Sequence, residues 1–436
     1  MSTTRLHTLL LGVALVAGVP PAALGASAAA PGSAIDLFNG RDLAGWEGDT
    51  NGYRAVDGVL VCTPQGRRLY TSREYSDFEL IFEFKLSPGA NNGLGIRAPR
   101  QGNPAYAGME LQILDNHAER YETLKPWQYH GSIYGCVAAE RGHLNEPGEW
   151  NRQRVICIGD HVKVALNGHV IVDAWLDKIE PADGKSHPEL KRTTGHIVVC
   201  GHGSRVEFRN LELRDFSMSP PFPASPADST PPPGFEALFN GKDLTGWKGL
   251  VKNPKARAQM TPAELAAAQA QADERMRTHW SVADGQLVFD GKGQNLCTRK
   301  LYGDFECYID WKIPPNADSG VYLRGTPQVQ IWDPTNENQW KHGADQGSGA
   351  LWNNRKAGSR PLVKADKPIG QWNTFFIRMI GEKVTVFLNG EKVVDNVVME
   401  NYWERDKPIY RTGSIELQNH GQPLYFKNLF IRELPM

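Results

Sequence analysis

The sequence predicts an all-β protein of two β-sandwich domains, the second carrying a helical insertion. Three observations predict it: a long internal duplication, period-2 alternation of apolar and polar residues, and many Gly, Asn and Pro turns between the alternating runs. The 436 residues exceed one ordinary domain. Lys+Arg at 48 against Asp+Glu at 49 leave a net charge of −1. That balance excludes a nucleic-acid binder working by broad phosphate neutralisation. With 40% apolar and 22% charged residues the chain lies in the range of folded soluble proteins.

Residues 1–28 read as a secretory signal peptide. Arg5 and His7 form a basic start, 9–19 is a short apolar run, Pro20-Pro21 ends it, and Ala26-Ser27-Ala28 fits a small-residue cleavage site. The run is shorter than the ~20 residues a spanning helix needs. No later segment is apolar enough to span, so the mature protein is expected in the periplasm or outside the cell, without a membrane span. Cys62, Cys136, Cys157 and Cys200 lie in one half, Cys297 and Cys307 in the other. An oxidising compartment permits pairing within each half; buried free thiols are the alternative.

The duplication sets the domains. Leu37-Phe38-Asn39-Gly40, followed by Gly45-Trp46, returns as Leu238-Phe239-Asn240-Gly241, followed by Gly246-Trp247. Tyr53 to Arg97 aligns with Trp280 to Arg324 without a gap, and Leu166-Asn167-Gly168 answers Leu388-Asn389-Gly390. The expected domains are 34–216 and 235–436, joined by a Pro- and Ser-rich linker at 217–234. Phe78, Leu80, Phe82 and Phe84 alternate with Glu79, Ile81, Glu83 and Lys85, as one buried strand face requires. Asn167-Gly168 and Asn389-Gly390 mark tight hairpins. Thr261-Pro262-Ala263-Glu264 opens a helix running to about Arg277, with cap, first-turn proline and capping-box Glu.

Strand parity then sorts candidate site residues. Met109, Leu111 and Ile113 face the core, so Glu110 and Gln112 face outward. The same rule puts Arg97, Tyr134 and His202 outward, with Asp115, Asn116 and His117 at the strand's end. The second half offers Arg324, Gln328, Gln330, Asp333, Trp352, Glu416, Gln418 and His420. Glu110 is replaced there by Gln328, while Val198 is replaced by Glu416, so the carboxylate moves between the copies. Solvated strand residues account for any one of these positions. The recurrence of Arg, Gln, aromatic and His residues on one face in both copies points to a sugar site, where hydroxyls need paired donors and acceptors and the ring stacks on an aromatic. Asp115, His117 and His130 offer metal ligands without diagnostic spacing, and no nucleophile-elbow, P-loop or zincin motif occurs in a supporting context.

The opening Leu37-Phe38-Asn39-Gly40, the stretch from Gly93 to Arg97, Glu110-Leu111-Gln112-Ile113-Leu114-Asp115, Gly148-Glu149-Trp150-Asn151 and the Leu166-Asn167-Gly168 hairpin resemble the 3-keto-disaccharide hydrolase domain family. The second copy resembles it too, through the Ala-rich helix before Trp280 and the closing run from Gly413 to Gly421. The resemblance implies concanavalin A-like jelly-roll sandwiches, export, and hydrolase or lyase action on 3-keto-glycosides made by an upstream oxidoreductase. A C3 ketone acidifies the C2 proton, so a base can form the enolate and expel the aglycone, and water adds back. The roles this implies are Glu110 as base, Arg97 and His202 at the developing oxyanion, and Tyr134 or His130 near the leaving oxygen. A divalent metal is the alternative to Arg97. The first copy is expected to be the catalytic one, since Glu110, Gln112 and Asp115 are intact. The rival is a tandem lectin-like binding protein.

Overall fold

The computed structural model describes residues 34–217, 229–326 and 328–435; the signal-peptide segment and most of the linker lie outside them. Among the described residues each half is a sandwich of an eight-stranded and a five-stranded antiparallel sheet. In the first half the large sheet runs His169–Trp175, His161–Leu166, Trp150–Ile158, Phe78–Leu86, Val206–Asp215, Val59–Cys62, Tyr53–Val56, with Ala34–Asp36 added on Val206–Asp215. The small sheet runs Trp46–Gly48, Arg68–Thr71, His196–Gly201, Asn91–Ala98, Met109–Leu114. The second half repeats both strand orders, its small sheet being Trp247–Gly249, Leu296–Thr298, Glu416–Leu417, Asp318–Tyr322, Gln328–Trp332. The duplication read in the sequence is thus a duplication of topology.

Alternation explains how the two sheets meet. Phe78, Leu80, Phe82 and Phe84 of the large sheet are buried in one cluster with Leu94, Ile96, Met109, Leu111, Ile113, Ile197 and Val199 of the small one. The small sheet's other face therefore carries Tyr70, Glu110, Gln112, Val198 and Cys200. The repeated opening motif is a turn with an anchor. Asn39 Oδ1 accepts from the Arg41 and Asp42 amides, and Trp46 Nε1 donates to the Leu37 carbonyl at 2.6 Å. Trp247 and Leu238 repeat the anchor at 2.9 Å. Both hairpin turns take the left-handed conformation at Asn and Gly, with φ of 50° at Asn167 and 53° at Asn389. All six cysteines are buried free thiols.

The insertion forms two helices, Pro254–Arg257 and Pro262–His279. Thr261 and Glu264 make the expected capping box. The long helix packs against Trp247–Gly249 and Trp280–Ala283, with the Gly249 amide bonded to Asp273 Oδ1 at 3.0 Å. It covers part of the small sheet's open face.

The halves pack directly on each other. Ile156, Ile158 and Phe216 form an apolar cluster with Ile380 and Leu434. Around it Arg378 reaches Asp77 at 2.9 Å, Lys383 reaches Asp177 at 2.8 Å and also pairs with Asp160, and Lys178 reaches Glu382 at 2.8 Å. No helix among the described residues is long and apolar enough to cross a membrane.

Candidate active site

In the first half a pocket of about 420 Å³ opens on the small sheet between Arg67, Arg68, Tyr70, Pro104, Glu110 and His202. Glu110 comes from the middle of Met109–Leu114, opposite Gly95. It is only 4% exposed, and its Oε1 stands 3.2 Å from His202 Nε2. Gly93, diagonal to it, clears the space: a Cβ there would overlap the Glu110 carboxylate. Gln112 lies along the same face and donates to Asn91 Oδ1 at 3.0 Å. Tyr134 joins from the next segment. Its amide bonds to the Glu110 carbonyl at 2.9 Å, and its hydroxyl accepts from Gln128 at 3.2 Å between Trp127 and Tyr106. Parity thus brings Glu110 and His202 together in the pocket, while Gln112 bonds Asn91 and Tyr134 bonds Gln128 outside its lining.

Arg97 is not with them, and parity fails there for a local reason. Its φ is 47°, and the ladder between His196–Gly201 and Asn91–Ala98 is bulged between His196 and Val198. Alternation is lost at that point. Ala98 packs with Tyr70, Val198 and Cys200, and the Arg97 guanidinium turns into the protein. There it bonds the Ser76, Gly159 and Arg192 carbonyls and pairs with Asp77 at 3.1 Å. Arg324 repeats this: φ 52°, bonds to the Gly303, Gly381 and Tyr410 carbonyls, and a pair with Asp304 at 2.7 Å. Both arginines hold the sandwich together near the domain interface. Arg68, paired across the ladder with Cys200, takes the cationic place at the pocket, where Gly102 O accepts from its Nη1 at 2.5 Å.

His130 is also placed elsewhere. It is buried, stacks on Phe84 and bonds Gln153 at 3.1 Å, and burial lowers its pKa to about 4. It is a neutral core histidine. Asp115 closes a turn through the Gly89 and His117 amides, and Asn116 accepts from the His130 amide. His117 lies 3.6 Å from Glu146. Asp115, His117 and His130 thus have separate partners. Asp333 likewise caps the amides of Asn316 and Thr335.

The second half has its own cup of about 370 Å³, lined by Gln328, Gln330, Trp352, Gln418 and His420 together with Asp318, Tyr322, Trp332 and Tyr402. Glu416 does not line it. It lies in the same cross-sheet row as Cys297 and Tyr322, beside Pro254 of the insertion at Gly325. Burial raises it to about 7 against the pull of Arg257, Asn295, Ser414 and Lys248. The carboxylate facing the cup is Asp318, which parity reasoning missed. It matches Asn91 in the ungapped register, so the copies exchange partners: Gln112 donates to Asn91 in one, Gln330 to Asp318 at 2.7 Å in the other. His420 Nδ1 is 3.7 Å from Asp318 Oδ2, and burial is the main cause of a raised Asp318 pKa. Counting carboxylates on the neighbouring strand, not only on the Glu110 strand, would have found it. Gln328 Oε1 and Gln418 Oε1 are buried without a hydrogen-bond partner, so the cup holds two unused acceptors.

The 3-keto-alpha-glucoside-1,2-lyase-like domain matches residues 33–214 and again 234–432. A 3-keto-disaccharide hydrolase of Bacteroides thetaiotaomicron is 23% identical over an alignment of 303 residues that covers 55% of this chain and 95% of that protein. Among solved structures, a Parabacteroides distasonis protein named as a glycosyl hydrolase is 29% identical over 42% of this chain and 99% of its own, with a TM-score of 0.39. A carbohydrate-binding module from Bacillus subtilis is 16% identical over 38% of this chain and 94% of its own, with a TM-score of 0.25.

Proposed function

Since the chain belongs to the 3-keto-alpha-glucoside-1,2-lyase-like domain family, we propose that its first half cleaves 3-keto-glycosides by enolate-assisted loss of the aglycone. The observation that carries this is the Glu110–His202 pair at 3.2 Å on a sheet face cleared by Gly93. Glu110 takes the C2 proton, made acidic by the C3 ketone. The electron pair moves to the ketone oxygen, where the Arg68 guanidinium and His202 lie ready to stabilise it. As the enolate collapses, the C1–O bond breaks and the aglycone oxygen takes a proton, for which Tyr134, its amide bonded to the Glu110 carbonyl, is the acid assigned in this reading. Water adding across the C1–C2 double bond makes the net change hydrolysis.

The second half is a binding cup in this reading. It has Gln328 where the first copy has Glu110. Tyr322, Trp332 and Trp352 offer ring faces to a sugar, and the free Gln328 and Gln418 acceptors suit hydroxyl donors. The protein is taken to meet its substrate outside the cytoplasm, supplied by an oxidoreductase that makes the C3 ketone.

Purified protein incubated with 3-keto-trehalose and with trehalose tests this. Free glucose from the ketone alone is expected. Equal cleavage of unoxidised trehalose indicates a two-carboxylate glycosidase instead, and binding of glycans without turnover of either indicates a lectin.

A further inference from the structure

We propose a zinc-type metal site in the first half, built from Cys136, His187 and Glu189, with Asp183 orienting the histidine. The three candidate ligand atoms, a sulfur, an imidazole nitrogen and a carboxylate oxygen, lie within 4.8 Å of one another, and all three residues are buried. His187 Nδ1 faces Glu189 Oε1 in a short contact, while its Nε2 is 3.0 Å from Asp183 Oδ1. A metal-ligating histidine characteristically donates its second ring N–H to a carboxylate in this way. The second, independent observation is an unused pair of acceptors. Glu189 Oε2 and Asp183 Oδ2 are buried with no hydrogen-bond partner, on side chains 2% and 3% exposed. Lys185 Nζ is 4.0 Å from Asp183 Oδ2, beyond hydrogen-bond reach.

The backbone builds the cluster deliberately. Asp183 N bonds to Gly135 O at 2.9 Å and Ala182 N to Cys136 O at 3.2 Å, pinning the 182–189 loop to the segment that carries the cysteine. The second copy lacks the site. Ser132 and Ala350 make the same bond to Gln112 and Gln330, which aligns Cys136 with Asn354. That amide is fully used, donating to the Ala357 and Val398 carbonyls and accepting from the Glu400 amide.

Thiolate, imidazole and carboxylate donors select a borderline-soft divalent ion, zinc above magnesium or calcium, which take oxygen shells. Binding forms metal bonds to sulfur, nitrogen and oxygen and releases the thiol proton to solvent. The site is a positioning device. The Tyr106 ring packs on His187 with centroids 5.5 Å apart, and Tyr106 sits on the Pro104–Ala107 helix whose Pro104 walls the Glu110 pocket.

The test loads the purified full chain with zinc, with cobalt(II) or with magnesium. Expected are about one equivalent of zinc retained through gel filtration, a melting temperature several degrees higher with zinc but not magnesium, and a thiolate-to-cobalt charge-transfer band. Cys136→Ser is expected to abolish the band and the zinc shift. If that variant does not fold, the band in the parent protein decides. No retained zinc, no band and an unmoved melting temperature would overturn the site, leaving His187 as an ion-paired core histidine. These readouts are independent of any sugar activity.

Discussion

Replacing Glu416 by Gln should stabilise the second half at alkaline pH and leave it unchanged in acid. The buried carboxyl titrates near 7 in the folded chain against an ordinary value of 4.5. Below 4.5 both states carry the proton and nothing is lost. Between those values the unfolded chain ionises while the folded chain keeps its proton, so stability falls as pH rises, and the loss is complete above 7. A gap of that size is worth about 3 kcal/mol. For a unit of this size that corresponds to roughly 6–12 °C in melting temperature. Gln keeps the shape and cannot ionise, so the difference between variant and parent should grow from pH 4 to pH 8. Differential scanning calorimetry at the two pH values reads it directly. An equal difference at both pH values, or a variant less stable at pH 8 than at pH 4 relative to the parent, would refute the buried titration.

Other substitutions test other parts of the structure. His130→Gln should flatten the acid side of the stability curve, because a histidine held neutral down to about 4 costs the parent stability as pH falls below 6.5, by about 3 kcal/mol once fully titrated; urea titrations at pH 4 and pH 7 compare them. Arg97→Met leaves three carbonyls without their donor and removes one partner of Asp77, which keeps Arg378 and the Gly159 amide, and should lower stability by about 2–4 kcal/mol, while folded protein retains its turnover number; a large fall in turnover per folded molecule would return Arg97 to the chemistry. Gly93→Ala should fold yet lose at least tenfold in kcat, since the new methyl displaces the Glu110 carboxylate; unchanged kcat would mean that this carboxylate position is immaterial.

Much of this architecture was legible as pattern. The ungapped match from Tyr53 to Arg97 with Trp280 to Arg324 announced two copies, and Phe78, Leu80, Phe82 and Phe84 announced a half-buried strand that indeed faces the core. Glu110, Gln112 and His202 followed because strict alternation holds along their strands. Arg97 did not, because one residue at positive φ beside a bulge reverses every orientation inferred past it. His130 lies beyond a turn, where parity says nothing, and apolar packing against Phe84 claimed it. Glu416 obeys parity and faces outward from its sheet, but the inserted helices are long-range neighbours that periodicity cannot register. Asp318 went unnoticed because its partner position, Asn91, bears no charge. The Cys136, His187 and Glu189 grouping joins segments some fifty residues apart, with no spacing signature to betray it.

Turnover of a 3-keto-glucoside by Glu110→Gln and by Asp318→Asn, each shown folded by circular dichroism, separates the two halves most cleanly. Glu110→Gln should reduce kcat by about 10²–10⁴, as loss of a general base does, and abolish exchange of the C2 proton with deuterated solvent. Asp318→Asn should leave kcat and exchange intact. Undiminished exchange in Glu110→Gln, or its disappearance in Asp318→Asn alone, would contradict the assignment of the chemistry to the first sheet.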